Sequence, residues 1–211
     1  MTVDFTTTPE QELLTKAAKG SRDAFGELVR RYEKKVLTLS NRLCGNPDDG
    51  ADAAQEAFVS AWQGLPRFRG DANFSTWLYR LTSNACMDLL RRRQRRDARA
   101  GFSLNDEEIQ LDIPDAAPSP QETVERRELR QELQDALQTL SPEHRQILIL
   151  REIHQLSYEE IGRALSLDAG TVKSRIHRAR ESLRKILTAR GTFFASGRLR
   201  DRKGGLQHEQ S

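Results

Sequence analysis

Apolar residues recur at intervals of three and four along two long stretches of the chain, and the stretch between them has no such period. Phe25, Leu28, Val29, Tyr32, Val36, Leu39 and Leu43 form one stripe, the mark of a long amphipathic helix. Gly45-Asn46-Pro47 stops it, as glycine and proline do just past a helix end. Asp48 or Asp49 can cap the next helix, whose apolar face runs through Ala54, Ala57, Phe58, Ala61 and Trp62 until Gly64 and Pro66 end it. After a loop carrying Arg69 and Gly70, a third helix turns Phe74, Trp77, Leu78, Leu81, Ala85 and Leu89 inward. No such stripe is stable alone in water, so these helices must pack on one another.

The second stretch begins with a helix through Leu129, Leu133, Leu137 and Leu140. Ser141-Pro142 marks a fresh start, because proline is tolerated at the first helical position. An apolar run from Ile147 to Ile153 leads into a turn at His154-Gln155, and Ser157-Tyr158-Glu159-Glu160 then reads as a capping box. That short helix ends near Ser166; Asp168 caps another running to about Thr188, with Val172, Ile176, Ala179 and Leu183 inward. The pattern predicts an all-α protein of two small helical domains, residues 10–97 and 122–188, with a bridge over 98–121 and a basic flexible tail over 189–211.

Charge sharpens this division. The totals nearly cancel, 34 Lys plus Arg against 31 Asp plus Glu, so net charge alone names no partner. Between Ser103 and Glu125 lie seven acidic residues, no basic ones, and Pro114, Pro118 and Pro120. Proline denies helix and like charges repel, so a flexible tether is expected there. From Lys173 to Lys185 the balance reverses, with six Lys or Arg against Glu181 alone.

A short capped helix, a tight turn and a basic second helix make a helix-turn-helix pattern over residues 157–185. With its apolar stripe inward, the second helix presents Lys173, Ser174 and His177 outward, with Arg178 beside them. The early turns of such a helix enter the DNA major groove. Six arginines crowd residues 91–99 against Asp97 alone, a run able to bind any polyanion. On the helix before them, Tyr79, Arg80, Ser83, Met87 and Leu90 fall opposite the inward stripe. A tyrosine beside arginine suits stacking on an unpaired base. From periodicity Trp77 reads as core, while Tyr79 reads equally as core or platform.

Other classes have less support. Cys44 and Cys86 sit in separate helical patterns, allow at most one disulfide, and read as two buried thiols in a reducing compartment. His144, His154, His177 and His208 lack metal-site spacing. No phosphate-binding loop, zinc-protease or nucleophile-elbow motif is present. Asp52 and Glu56 have no His or Lys to divide acid and base roles with, so they suit protein docking, and no cofactor is expected. The N-terminus lacks the pattern of a secretory signal and no apolar run reaches the roughly 20 residues of a span, so a cytoplasmic location is expected.

In combination these features closely resemble the bacterial sigma-70 superfamily, specifically the small extracytoplasmic-function (ECF) sigma factors. The resemblance covers residues 20–97 and 122–188. It rests on the segment Asp52 to Trp62, on Phe68-Arg69-Gly70 with Phe74 to Leu78, and on Leu140-Ser141-Pro142 continuing to Arg180. It implies a promoter-recognition subunit with no catalytic site of its own. The first half would be a sigma-2 domain, with Asp52, Gln55 and Glu56 in the segment that binds core RNA polymerase. Arg69, Trp77, Tyr79, Arg80, Asn84, Asp88, Arg91 and Arg92 would belong to the segments that melt and hold the −10 element. The second half would be a sigma-4 domain, docked on the beta-subunit flap. Thr171, Lys173, Ser174, Arg175, His177, Arg178 and Arg180 would lie on its −35 recognition helix. The acidic bridge resembles the linker that threads the polymerase toward its active cleft. Implied partners are the beta and beta-prime subunits of the core enzyme, promoter DNA, and an anti-sigma factor. A two-domain transcriptional regulator or a nonspecific nucleic-acid tether would each explain some of these features.

Overall fold

Eight α-helices account for most of residues 5–70, 72–100 and 124–190, which a computed structural model of the chain describes. They are α1 (Glu10–Ala18), α2 (Arg22–Cys44), α3 (Pro47–Gly64), α4 (Phe74–Ala100), α5 (Val124–Thr139), α6 (Pro142–Leu148), α7 (Tyr158–Leu165) and α8 (Ala169–Ala189). A 3-10 turn, Leu65–Arg67, follows α3, and a π turn, Ile149–Ile153, extends α6. The expected acidic bridge, from 101 onward, and the tail beyond Arg190 lie outside the described residues.

Local chemistry sets the helix boundaries. Gly45 closes α2 in the left-handed conformation, φ 74°, which costs glycine nothing. Asn46 then caps α3, accepting from the backbone N–H of Asp48 at 2.8 Å and of Asp49 at 3.0 Å. The sequence reading had assigned this cap to Asp48 or Asp49. Pro47 moves it upstream by occupying the first helical position, which leaves the two aspartates in the first turn, where the helix dipole favours them. The capping box of Ser157 and Glu160 is formed. Asp168 caps α8 through the Thr171 N–H at 2.9 Å.

Helices α1 to α4 surround a core of Leu13, Leu28, Val36, Ala54, Phe74 and Leu78. A second cluster begins at the far end of α2 and crosses between the halves: Leu39, Leu43, Cys44, Tyr79 and Cys86 pack with Leu137, Ile147, Leu150, Ile161 and Ile176. The two helical domains therefore share one continuous apolar cluster. Cys44 and Cys86, expected from sequence to be buried thiols in separate helices, meet inside it. Their hydrogen bond and their burial hold the Cys86 thiol protonated far above its ordinary range.

Two side chains, neither flagged by the sequence pattern, close the junction. Arg145 is buried and gives its guanidinium to the carbonyls of Leu137 (3.0 Å), Gln138 (2.7 Å), Leu140 (3.3 Å) and, across the junction, Leu43 (2.6 Å). Burial lowers its pKa to about 10, so it stays charged near neutrality. His154 follows the π turn and tilts its ring against Tyr79, with centroids 4.7 Å apart. Burial, with Arg42 and Lys35 of α2 adding positive charge, holds its pKa down to about 4.

Two outcomes follow. Gly50 sits where α3 crosses α2, and a Cβ there would lie 2.9 Å from the Asn41 Cα and closer still to its carboxamide oxygen. Gly50→Ala is expected to cost about 1–3 kcal/mol of stability, read by denaturant unfolding. For His154, separating the halves returns the imidazole to its ordinary pKa of about 6.5, so the separated form takes up a proton first. The junction keeps its full strength above that value and weakens as pH falls toward about 4. Small-angle scattering between about pH 7 and about pH 5 should show the wild type expanding and His154→Gln changing far less.

Candidate nucleic-acid interface

The exposed face of α8 follows from how the helix is anchored. Val172, Ile176 and Ala179 are buried, whereas Lys173, Ser174, His177 and Arg178 are exposed and Thr171 and Arg175 half-buried. Ser174 donates its hydroxyl to the Thr171 carbonyl at 3.1 Å, and Arg178 reaches the Ser174 hydroxyl at 3.3 Å. Arg180 is engaged by Glu152, at 2.6 Å and 3.1 Å. Both partners are exposed, and such a pair contributes about 0–1 kcal/mol, so phosphate can replace the carboxylate at little cost. The N–H groups at the start of α8 are taken by the capping Asp168 carboxylate, so an anion would be met there by the basic side chains that follow.

On α3, Ala53, Ala54, Ala57 and Ala61 are buried while Asp52, Gln55 and Glu56 are exposed together. Val59, 43% exposed, continues their stripe at helical spacing. The sequence reading missed it, although its position seven residues after Asp52 was the available signal. The face is acidic with an apolar end, a pattern suited to a protein surface of opposite charge.

Helix α4 departs most from expectation. Arg69, in the loop before it, and Asn84, Asp88, Arg91 and Arg92 are exposed, with Arg91 pairing to Asp88 at 3.3 Å. Arg92, Arg95, Arg96 and Arg99 line one open basin. Trp77 is half-buried beside Phe68, at 4.9 Å between centroids, and Phe74, at 5.7 Å, as its periodicity implied. Arg80 is half-buried. Tyr79, Ser83 and Met87, however, are buried, at 5%, 0% and 7% exposure, rather than outward-facing. The second domain lies against this helix at two of its residues: His154 lies on Tyr79, and Thr76 donates to Glu160 at 3.4 Å. Desolvation raises the Tyr79 pKa, so the phenol stays neutral. Among the described residues, no group of three or more His, Cys, Asp or Glu can hold a metal, and no helix is long and apolar enough to cross a membrane.

Comparison with known proteins agrees with this architecture. The family models for Sigma-70 region 2 and Sigma-70 region 4 match residues 28–96 and 130–183. The chain is 38% identical over 182 residues to the RNA polymerase sigma-H factor of Pseudomonas aeruginosa, covering 84% of this chain and 93% of that one. It is 36% identical over 172 residues to the ECF RNA polymerase sigma factor SigW of Bacillus subtilis, covering 80% and 91%. Its fold matches CnrH, solved in complex with the cytosolic domain of CnrY, with a TM-score of 0.61 and 29% identity over 85% of this chain and 97% of that one. With its helix-turn-helix, its two matched regions in order and relatives aligned over nearly their full length, the chain belongs to the ECF sigma factors of the sigma-70 superfamily, the non-catalytic subunits that direct bacterial RNA polymerase to promoters.

Proposed function

We propose that this sigma subunit divides its work among three helices. The exposed Asp52, Gln55, Glu56 face of α3 docks on core polymerase. The stretch from Arg69 to Arg92, chiefly on α4, opens and holds the −10 element. The start of α8 reads the −35 element, with Lys173, Ser174, His177 and Arg178 toward base edges and Thr171, Arg175 and Arg180 toward the backbone. The residue ranges 10–97 and 122–188 serve as the two working modules, joined through the acidic linker 98–121 and followed by the tail 189–211. The observation that carries the reading is the basic face of α8, held outward by the buried Val172, Ile176 and Ala179. A regulatory protein competing with polymerase is a further partner in this reading, an anti-sigma factor in the family's terms. The similar CnrH was solved with the cytosolic domain of another protein, CnrY. Because polymerase and promoters are worked on inside the cell, the site of action is cytoplasmic.

Promoter-specific run-off transcription with purified core polymerase tests the whole reading, and loss of any promoter preference would overturn it. For α3, Asp52→Arg and Glu56→Arg should weaken core affinity by about tenfold or more with helicity unchanged, since like charges then face each other. For α8, a base-edge contact discriminates by about 1–3 kcal/mol, whereas a phosphate contact weakens all sequences alike. Lys173→Ala and Arg178→Ala should therefore shift −35 preference in a randomised library. Arg175→Ala and Arg180→Ala should lower affinity uniformly and flatten its salt dependence. A preference shift in Arg175→Ala with none in the other two would reverse the assigned docking rotation.

A further inference from the structure

Helix α5 carries one apolar stripe that the second domain covers only in part. Leu129, Leu133, Ala136, Leu137 and Leu140 recur at helical spacing, which sets them on one face. Ala136, Leu137 and Leu140 are buried, the two leucines within the cluster that the domains share. Leu129 and Leu133 continue the same stripe yet stand 36% and 38% exposed. Apart from Val59 on α3, they are the exposed large hydrophobic residues among those described. The neighbour of this uncovered half is the end of α8. Arg190 there donates to the Thr139 hydroxyl at the end of α5, at 3.0 Å, so the tail starts beside α5. It opens with Gly191-Thr192-Phe193-Phe194. Glycine is the residue at which a chain leaves a helix and turns back with least strain. Phe193 and Phe194 are the only aromatic residues after Tyr158.

We propose that the uncovered half of the α5 stripe is the docking site of the chain's own tail, with Phe193 and Phe194 turned back onto Leu129 and Leu133. The lengths agree. Leu133 lies six residues before Thr139 and Leu129 ten, which is about 9 and about 15 Å at the rise of an α-helix. Phe193 and Phe194 follow Arg190 by three and four residues, so an extended chain carries them about 10 to about 14 Å before their rings add further reach. The chemistry agrees as well, since the rings and the leucines are both apolar groups that water would otherwise surround. Tethering decides the occupant. A linker of a few residues presents the rings at an effective concentration of about millimolar. A second copy of the chain has no such advantage, and two leucines supply little of the roughly 1,200 Å² that a stable dimer buries.

Thiol labelling of the full chain with a maleimide reads the cover directly. Leu129→Cys places a reactive group on the patch, while the native Cys44 and Cys86 stay buried and Leu133 remains to hold the rings. With the native tail this thiol should react about tenfold more slowly than in the same variant carrying Phe193→Ser and Phe194→Ser, the reduction expected of a tail seated about nine-tenths of the time. Phe193→Leu with Phe194→Leu keeps the apolar contact and should keep most of the protection. Asp135→Cys, exposed on the opposite side of α5, should label at one rate with the native and the serine tail. Equal labelling of Leu129→Cys with both tails overturns the proposal. So does an equal acceleration at Asp135→Cys, which would mean that the serine tail loosens the helix instead of uncovering the patch. Protection that fades on dilution would assign the patch to a second copy, and protection that arises only on adding core polymerase would assign it to that enzyme; either result overturns the tail as its occupant.

Discussion

The structure depends on α4 being apolar on two sides. Phe74 and Leu78 face the core of the first domain, while Tyr79 and Cys86 face the cluster shared with the second. A helix gripped from both sides must also bury the polar residues between its two stripes. Thr82 meets this by donating to the Leu78 carbonyl one turn back, at 2.9 Å, and Thr76 by reaching Glu160. Ser83 finds no partner, and an unsatisfied buried hydroxyl costs about 1–3 kcal/mol. The first face of α4 is thus packed as a core, whereas between the two faces one buried hydroxyl, that of Ser83, goes without a hydrogen bond.

The ends of the neighbouring helices show the same gradation. The last carbonyls of a helix have no partners of their own, and Arg145 supplies them at the end of α5 and in the turn after it, through Leu137, Gln138 and Leu140. Only its bond to Leu43 crosses to α2. Parting the domains would therefore remove one acceptor of four and release the Leu43 carbonyl to water, with the turn inside the second domain still held. Gln138 has the same arrangement, one bond to the Arg42 carbonyl across the junction. The contacts that build each domain and those that join the two are largely separate, even though the apolar cluster is continuous.

Legibility in the sequence follows this distinction. The caps at Ser157 with Glu160 and at Asp168 were readable because they are local, and Asn46 was misread only because Pro47 shifts the cap upstream. The faces of α3 and α8 were readable because each helix buries one stripe and leaves the other wet. For α4 the same periodicity failed at Ser83 and Met87 and left Tyr79 undecided. It sorts positions into an apolar side and a mixed side, and a mixed side reads as solvent-facing unless its cover is known. For Tyr79 that cover is His154, and the neighbouring Thr76 meets Glu160, both more than seventy residues onward, which no window of the chain can contain. The meeting of Cys44 with Cys86 and the reach of Arg145 to Leu43 were hidden for the same reason.

The two helices proposed to meet DNA consequently stand in different states. The basic start of α8 is already exposed, and duplex phosphates attract it through a long-range field that needs no change in the protein. Base capture on α4 carries two requirements: an unstacked strand and a domain moved aside. Neither is met by the free subunit on duplex DNA, and each alone leaves the other unpaid in free energy.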